Sequence, residues 1–154
     1  KLRHMYFYRW PDNSCFQNPV KKLKDEITSI LNQDKSIKKI TLIGHSYGGI
    51  LVSQLLKDWN LTTPIEIHVI ASPLLGTPML NSMCAYEPIS AIPKKSVLYE
   101  WRTQFQLDNV FKNLNEDPQR IELNGSLVTT LPDTYKGNRL GHNWSISWVA
   151  DEAF

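Results

Sequence analysis

Apolar positions along this chain follow two alternating rhythms. After Asn18-Pro19, the residues Val20, Leu23, Ile27, Ile30 and Leu31 recur at helical spacing, with lysines and acids between them. Asn18 as cap and Pro19 at the first helical position predict where that helix begins. Ile40, Leu42 and Ile43 form a short apolar run that stops at Gly44, as a buried strand would. Ile50, Leu51, Val52, Leu55, Leu56 and Trp59 return to helical spacing. Ile65 to Ala71 is a second strand, entered through Pro64 and left through Ser72-Pro73. Gly76 and the prolines of 74–96 predict a long loop with room for a helical turn. Val97 to Leu114 reads as one helix, Arg120 to Leu131 as a third buried strand broken or bulged at Gly125, and 132–141 as a polar loop. Trp144 to Ala150 is a terminal helix or strand, and the aromatic run Met5 to Trp10 a short strand ended by Pro11. Strands alternating with helices predict an α/β protein, a three-layer α/β/α sandwich with a mostly parallel sheet, in a single domain over 1–154.

Composition narrows the partners. At 154 residues, with 42% hydrophobic and 21% charged residues, the chain is long enough for one core and too short for two comfortable ones. A net charge of +2 does not imply nucleic acid. Lys21, Lys22, Lys24, Lys35, Lys38 and Lys39 are interrupted by Asp25, Glu26 and Asp34, which describes a solvated helix face. No apolar run approaches the roughly 18 residues of a membrane helix, and no signal-peptide pattern opens the chain. The start at Lys1 points to a processed or excised piece. Cys15 and Cys84 make no metal site and are read as two unpaired thiols at least as readily as one disulfide, with a weak lean to the cytoplasm. Asn60, Asn124 and Asn143 begin N-x-[ST] sequons, which matter only in a secreted protein.

The chemistry centres on Ile40-Thr-Leu-Ile-Gly-His-Ser-Tyr-Gly-Gly. A serine hydroxyl is a poor nucleophile unless a base takes its proton. Here Ser46 stands where a buried strand must turn sharply into an apolar helix. Such a turn strains the serine backbone and lifts Oγ clear of the sheet. Positions two before and two after it crowd together and must be small, and they are Gly44 and Gly48. The Tyr47 amide, at the start of the helix, is then aimed at the oxygen of a tetrahedral intermediate.

The segment Thr41 to Gly49 resembles the nucleophile elbow of α/β-hydrolase lipases and esterases. The following Val69-Ile-Ala-Ser-Pro-Leu-Leu-Gly-Thr-Pro is similar to the Ser-Pro-x-x-Gly-Thr-Pro strand and loop of lipase-like members. The resemblance implies a reduced α/β-hydrolase fold and a chain order of serine, acid, histidine. His142, in Leu140-Gly-His-Asn after the third strand, resembles the catalytic histidine loop of that family. Of the other histidines, His4 lies before the first helix, His45 is expected to pack beside the turn, and His68 to be a satisfied core or edge residue.

The acid is less legible. Family patterns of the form Gly-[ST]-x-Asp-x-x-Val-Pro align with Gly125-Ser-Leu-Val-Thr-Thr-Leu-Pro, which has Val128 at the acid position. Asp133 is the nearest substitute and takes the role of orienting His142 in this reading. Asp108, expected on the solvent face of a helix, and Glu122, within a strand, are the alternatives. The His-Gly loop that often supplies a second oxyanion donor is missing before Ser46. Met5 to Trp10 looks like the family's fourth strand, which is separated from the elbow strand by the third. Either the first strands are missing from this chain, or Met5 to Trp10 has moved beside the elbow strand.

The reading is therefore a serine hydrolase that cleaves carboxylic esters, lipid esters by resemblance, through an acyl-enzyme. It needs no metal or organic cofactor, and 74–96 would be its cap or lid. The rival is a binding or scaffolding protein that keeps the elbow without the chemistry.

Overall fold

The computed structural model describes residues 4–11 and 15–154. Elements follow in the order α1 (Gln17–Gln33), β1 (Ile40–His45), α2 (Tyr47–Lys57), β2 (Ile65–Ile70), α3 (Pro78–Cys84) and β3 (Ser96–Arg102). A 3-10 turn (Phe105–Leu107), β4 (Leu127–Thr130), a small hairpin of β5 (Thr134–Tyr135) and β6 (Asn138–Arg139), and α4 (Trp144–Ala153) complete it. The four long strands form one sheet in the order β1-β2-β3-β4, and every neighbouring pair is parallel.

Side-chain alternation divides the two faces of that sheet. Ile65, Ile67 and Val69 of β2, with Leu98 of β3, point into a core shared with Leu23 and Ile27 of α1 and Ile50, Leu51, Leu55 and Leu56 of α2. Each of the α2 side chains withdrawn from water contributes about 1.5–3 kcal/mol. On the other face Ile70 joins Leu131, Leu140 and Val149 of α4 in a smaller cluster, against Trp101 and Trp148. Helices therefore cover both faces, as the alternation of strands and helices predicts. No described helix is long and apolar enough to cross a membrane.

Several elements differ from expectation. The segment after Lys95 is strand β3, not a helix: Leu98 and Glu100 are buried while Val97, Tyr99 and Trp101 face the other way, a period of two. Arg120 to Leu131 supplies only the short β4, at the sheet margin and largely exposed rather than buried. Helix α1 starts ahead of Asn18, with Phe16 at its N-cap position. Met5 to Trp10 is not a strand. Tyr8 and Trp10 stack with ring centroids 5.9 Å apart and pack onto the core, and the Tyr8 hydroxyl donates to the Pro19 carbonyl at 2.7 Å. Tyr8 and Trp10 thus serve as a strap over the core rather than as ladder positions, while Tyr6 and Phe7 stay exposed. Among the described residues β1 pairs with β2 alone, so the elbow strand stands at an edge of the sheet.

Cys15 and Cys84 form a disulfide, their Cα atoms 5.4 Å apart. It fastens the end of α3 to the chain just ahead of α1. Disulfides are rare in reducing compartments, so the bond runs against the cytoplasmic lean drawn from two cysteines.

Candidate active site

Ser46 occupies the turn between β1 and α2 with φ 52° and ψ −119°, a conformation L-residues seldom adopt. The surroundings over-determine it. The Ser46 amide donates to the Ile70 carbonyl at 2.9 Å, and its own carbonyl accepts the Ser72 hydroxyl at 2.8 Å. A Cβ on Gly44 would meet the Gly48 carbonyl oxygen at 2.3 Å, and one on Gly49 the Ser72 Oγ at 2.1 Å. The crowding expected in the elbow is real, but its second tight position is Gly49, because Gly48 faces Trp10 at an ordinary 3.4 Å. Tyr47 is the first residue of α2, so its amide stands at a helix N-terminus.

The second motif has a structural part to play. Ser72 holds Ser46, and Thr77 caps α3 by accepting the Leu80 amide at 3.3 Å, with Pro78 in the first turn.

His142 lies in the turn ahead of α4, largely buried, and its ring centroid is 4.7 Å from that of His45, Ser46's neighbour. Its Nδ1 donates to Asp108 Oδ2 at 2.9 Å, and the edge of Phe111 closes another side. Asp108 is fully buried. The same Oδ2 accepts the Thr103 hydroxyl at 2.6 Å, while Oδ1 accepts the amides of Val110 at 2.9 Å and Phe111 at 3.2 Å. Burial alone pushes this carboxyl up. The hydrogen bonds from His142 and Thr103, the charge of His142 and the Val110 amide outweigh it and hold the group below its ordinary value.

The expected His142–Asp133 contact is not made. Asp133 is exposed, and its carbonyl accepts the Leu140 amide within the loop. Asp108 is not on a solvent-facing helix because β3 ends at Arg102 and the chain turns inward through Phe105–Leu107. Glu122 is exposed, and Val128 lies in β4, its side chain partly exposed.

Two other histidines settle as expected. His45 sits beside the turn and donates from Nε2 to the His142 carbonyl at 2.9 Å, and the Ser145 hydroxyl reaches the same oxygen at 2.5 Å. Burial, the largest influence, lowers the His45 pKa; the hydrogen bond to the His142 carbonyl opposes it, and the smaller charge effects of His142 and Asp108 act in opposite directions. His68 is buried and satisfied: Trp101 donates to its Nδ1 at 3.1 Å, so its Nε2 carries the proton given to Glu66 at 2.7 Å.

Ser46 follows β1 directly, Asp108 comes after β3 and the 3-10 turn, and His142 after β4 and the β5–β6 hairpin. Each thus lies in a segment that leaves the carboxyl end of a parallel strand, where open α/β sheets bind their ligands. A cavity of about 620 Å³ opens beside His142, lined by Asn109, Val110, Asn138, Arg139, Asn143 and Trp144.

A parallel sheet covered on both faces, with a strained serine turn at its carboxyl end, defines an α/β-hydrolase-like protein. The family profile described as "PGAP1-like alpha/beta domain" matches residues 16–146, and the chain belongs to that family, a hydrolase type. Neither the curated proteins nor the solved structures contain a match to the chain.

Proposed function

We propose that this protein is a serine hydrolase that cleaves carboxylic esters, lipid esters included, through an acyl-enzyme. Ser46 Oγ attacks the ester carbon, and His142 takes the serine proton and returns it to the leaving alcohol. Asp108, in place of Asp133, fixes the imidazole with Nδ1 protonated, which leaves Nε2 as the base. The Tyr47 amide donates to the oxyanion. The observation that carries this reading is the buried Asp108–His142 pair, whose imidazole lies 4.7 Å from the ring of His45, next in the chain to a serine held at positive φ.

The segment 74–96 serves as a fixed wall of the acyl site rather than a mobile lid. Its first half is held by the Tyr86 hydroxyl, which donates to the Leu74 carbonyl at 2.7 Å, and by the Cys15–Cys84 bond. The rival reading, a binding protein without chemistry, rests on Val128 at the acid position together with the missing His-Gly loop, and the Asp108 contact answers the first of these.

The test is covalent labelling with a fluorophosphonate. Wild type should label, Ser46→Ala and His142→Ala should not, and Asp108→Asn should label roughly a thousandfold or more slowly, since loss of a triad acid costs on the order of ten thousandfold. Asp133→Asn should label as wild type does. A folded wild type that never labels would leave the binding protein as the better reading.

A further inference from the structure

The Asp108 carboxylate is itself held by a second set of buried groups. Thr103, Gln119 and Asp108 are at most 2% exposed. The Gln119 side-chain amide pairs with the backbone of Thr103 on both sides: Oε1 accepts the Thr103 amide at 3.0 Å, and Nε2 donates to the Thr103 carbonyl at 3.1 Å. Nε2 also donates to Asp117 Oδ1 at 3.1 Å, so two acceptors fix which end of the amide is nitrogen. The Thr103 hydroxyl has one proton and two acceptors within reach, Gln119 Oε1 at 3.2 Å and the nearer, charged Asp108 Oδ2. The proton goes to the charged Asp108 Oδ2 at 2.6 Å, the oxygen that also accepts from His142.

We infer that Thr103, with its backbone clamped by Gln119, is a positioning residue for the Asp108–His142 pair. This rests on the hydrolase reading above. The hydroxyl fixes the rotation of the carboxylate, so that its negative charge stays in line with Nδ1 when His142 becomes cationic during attack. The Val110 and Phe111 amides fix only the other oxygen. Without Thr103 the carboxylate keeps its burial and loses the only other donor to Oδ2 besides His142 itself among the described residues. A hydrogen bond to a charged group carries enough free energy for roughly a tenfold or greater effect on rate.

The experiment compares wild type with Thr103→Val, Thr103→Ser and Gln119→Met. Fluorophosphonate labelling is resolved into its maximal rate and half-saturating concentration, and the His142 Nδ1 proton is followed in the far-downfield proton NMR spectrum. Thr103→Val should label roughly tenfold or more slowly at saturation with the half-saturating concentration unchanged, and its Nδ1 resonance should shift or broaden. Thr103→Ser should restore both, and Gln119→Met should give a smaller loss of the same kind. A folded Thr103→Val that labels at the wild-type rate overturns the inference. If wild type does not label, the hydrolase reading fails, and the resonance alone decides: a signal unmoved by Thr103→Val removes the positioning role. Should Thr103→Val not fold, Thr103→Ala and Gln119→Met carry the same comparison.

Discussion

A Cβ on Gly141 would lie 2.7 Å from the Leu107 carbonyl oxygen, so these two residues meet backbone to backbone. Each immediately precedes a residue of the buried pair, Gly141 before His142 and Leu107 before Asp108. The glycine of the Gly-His dipeptide is therefore what allows the histidine loop to approach the acid. Gly141→Ala must push the two segments apart by several tenths of an ångström and lengthen the 2.9 Å Nδ1–Oδ2 bond. We expect labelling at least tenfold slower and a melting temperature lower by several degrees. A labelling time course with a thermal melt checks it, and an alanine variant that matches wild type in both would contradict the backbone contact.

The positive φ of Ser46 is strain that glycine would not feel. Ser46→Gly should stabilise the fold relative to Ser46→Ala by about 1 kcal/mol, while both variants lose all labelling. Urea midpoints of the two variants decide the point, and equal midpoints would mean the turn stores no strain.

The disulfide closes a loop across a sequence separation of 69 residues. In the chain-entropy account, a loop of that size is worth about 4 kcal/mol. The Cys15→Ser, Cys84→Ser double variant should lose roughly 2–4 kcal/mol in denaturant unfolding. Peptide mapping of unreduced protein from its native source should recover the two cysteines as one linked pair. Free thiols there would restore the cytoplasmic lean.

Acid acts on this fold in two windows. The His45 pKa is lowered in the folded protein, so the unfolded chain takes up that proton first. Stability should therefore fall as pH drops through about 6.5, the ordinary histidine value, until the lowered folded value is passed. Asp108 is also lowered, so its contribution is full above about 3.9, the ordinary value, and is lost as pH falls through its folded value. His45→Gln, which keeps a donor for the His142 carbonyl, should lose less stability than wild type between roughly pH 7 and 5. Parallel slopes for the two proteins would assign that window to other groups.

The elbow was legible in the sequence because it makes local demands: a strand, a small residue, a strained serine and a helix within ten positions. Helices α1 and α2 and strands β1 and β2 were legible for the same reason, since burial of one face writes its period into the chain. The acid was not. Val97 to Leu114 holds enough apolar residues for a helix, and only the alternation of Leu98 and Glu100 against Val97, Tyr99 and Trp101 marks the strand. Reading that period would have placed Asp108 in a loop after a strand end instead of on a helix face. Glu100, a buried carboxylate partnered by Arg102 and Ser126, concealed the alternation by putting charge on the inner face. Thr103 and Gln119 left no local signal, because their pairing joins segments 16 residues apart.

The carboxyl-end placement of Ser46, Asp108 and His142 has a consequence for assembly. Each follows a different strand, and the contact of His45 with the His142 carbonyl spans 97 positions. No early, locally formed piece of the chain contains the constellation. It comes into being only when the last loop docks, so reactivity toward a covalent probe would report completed folding more strictly than any measure of helix content.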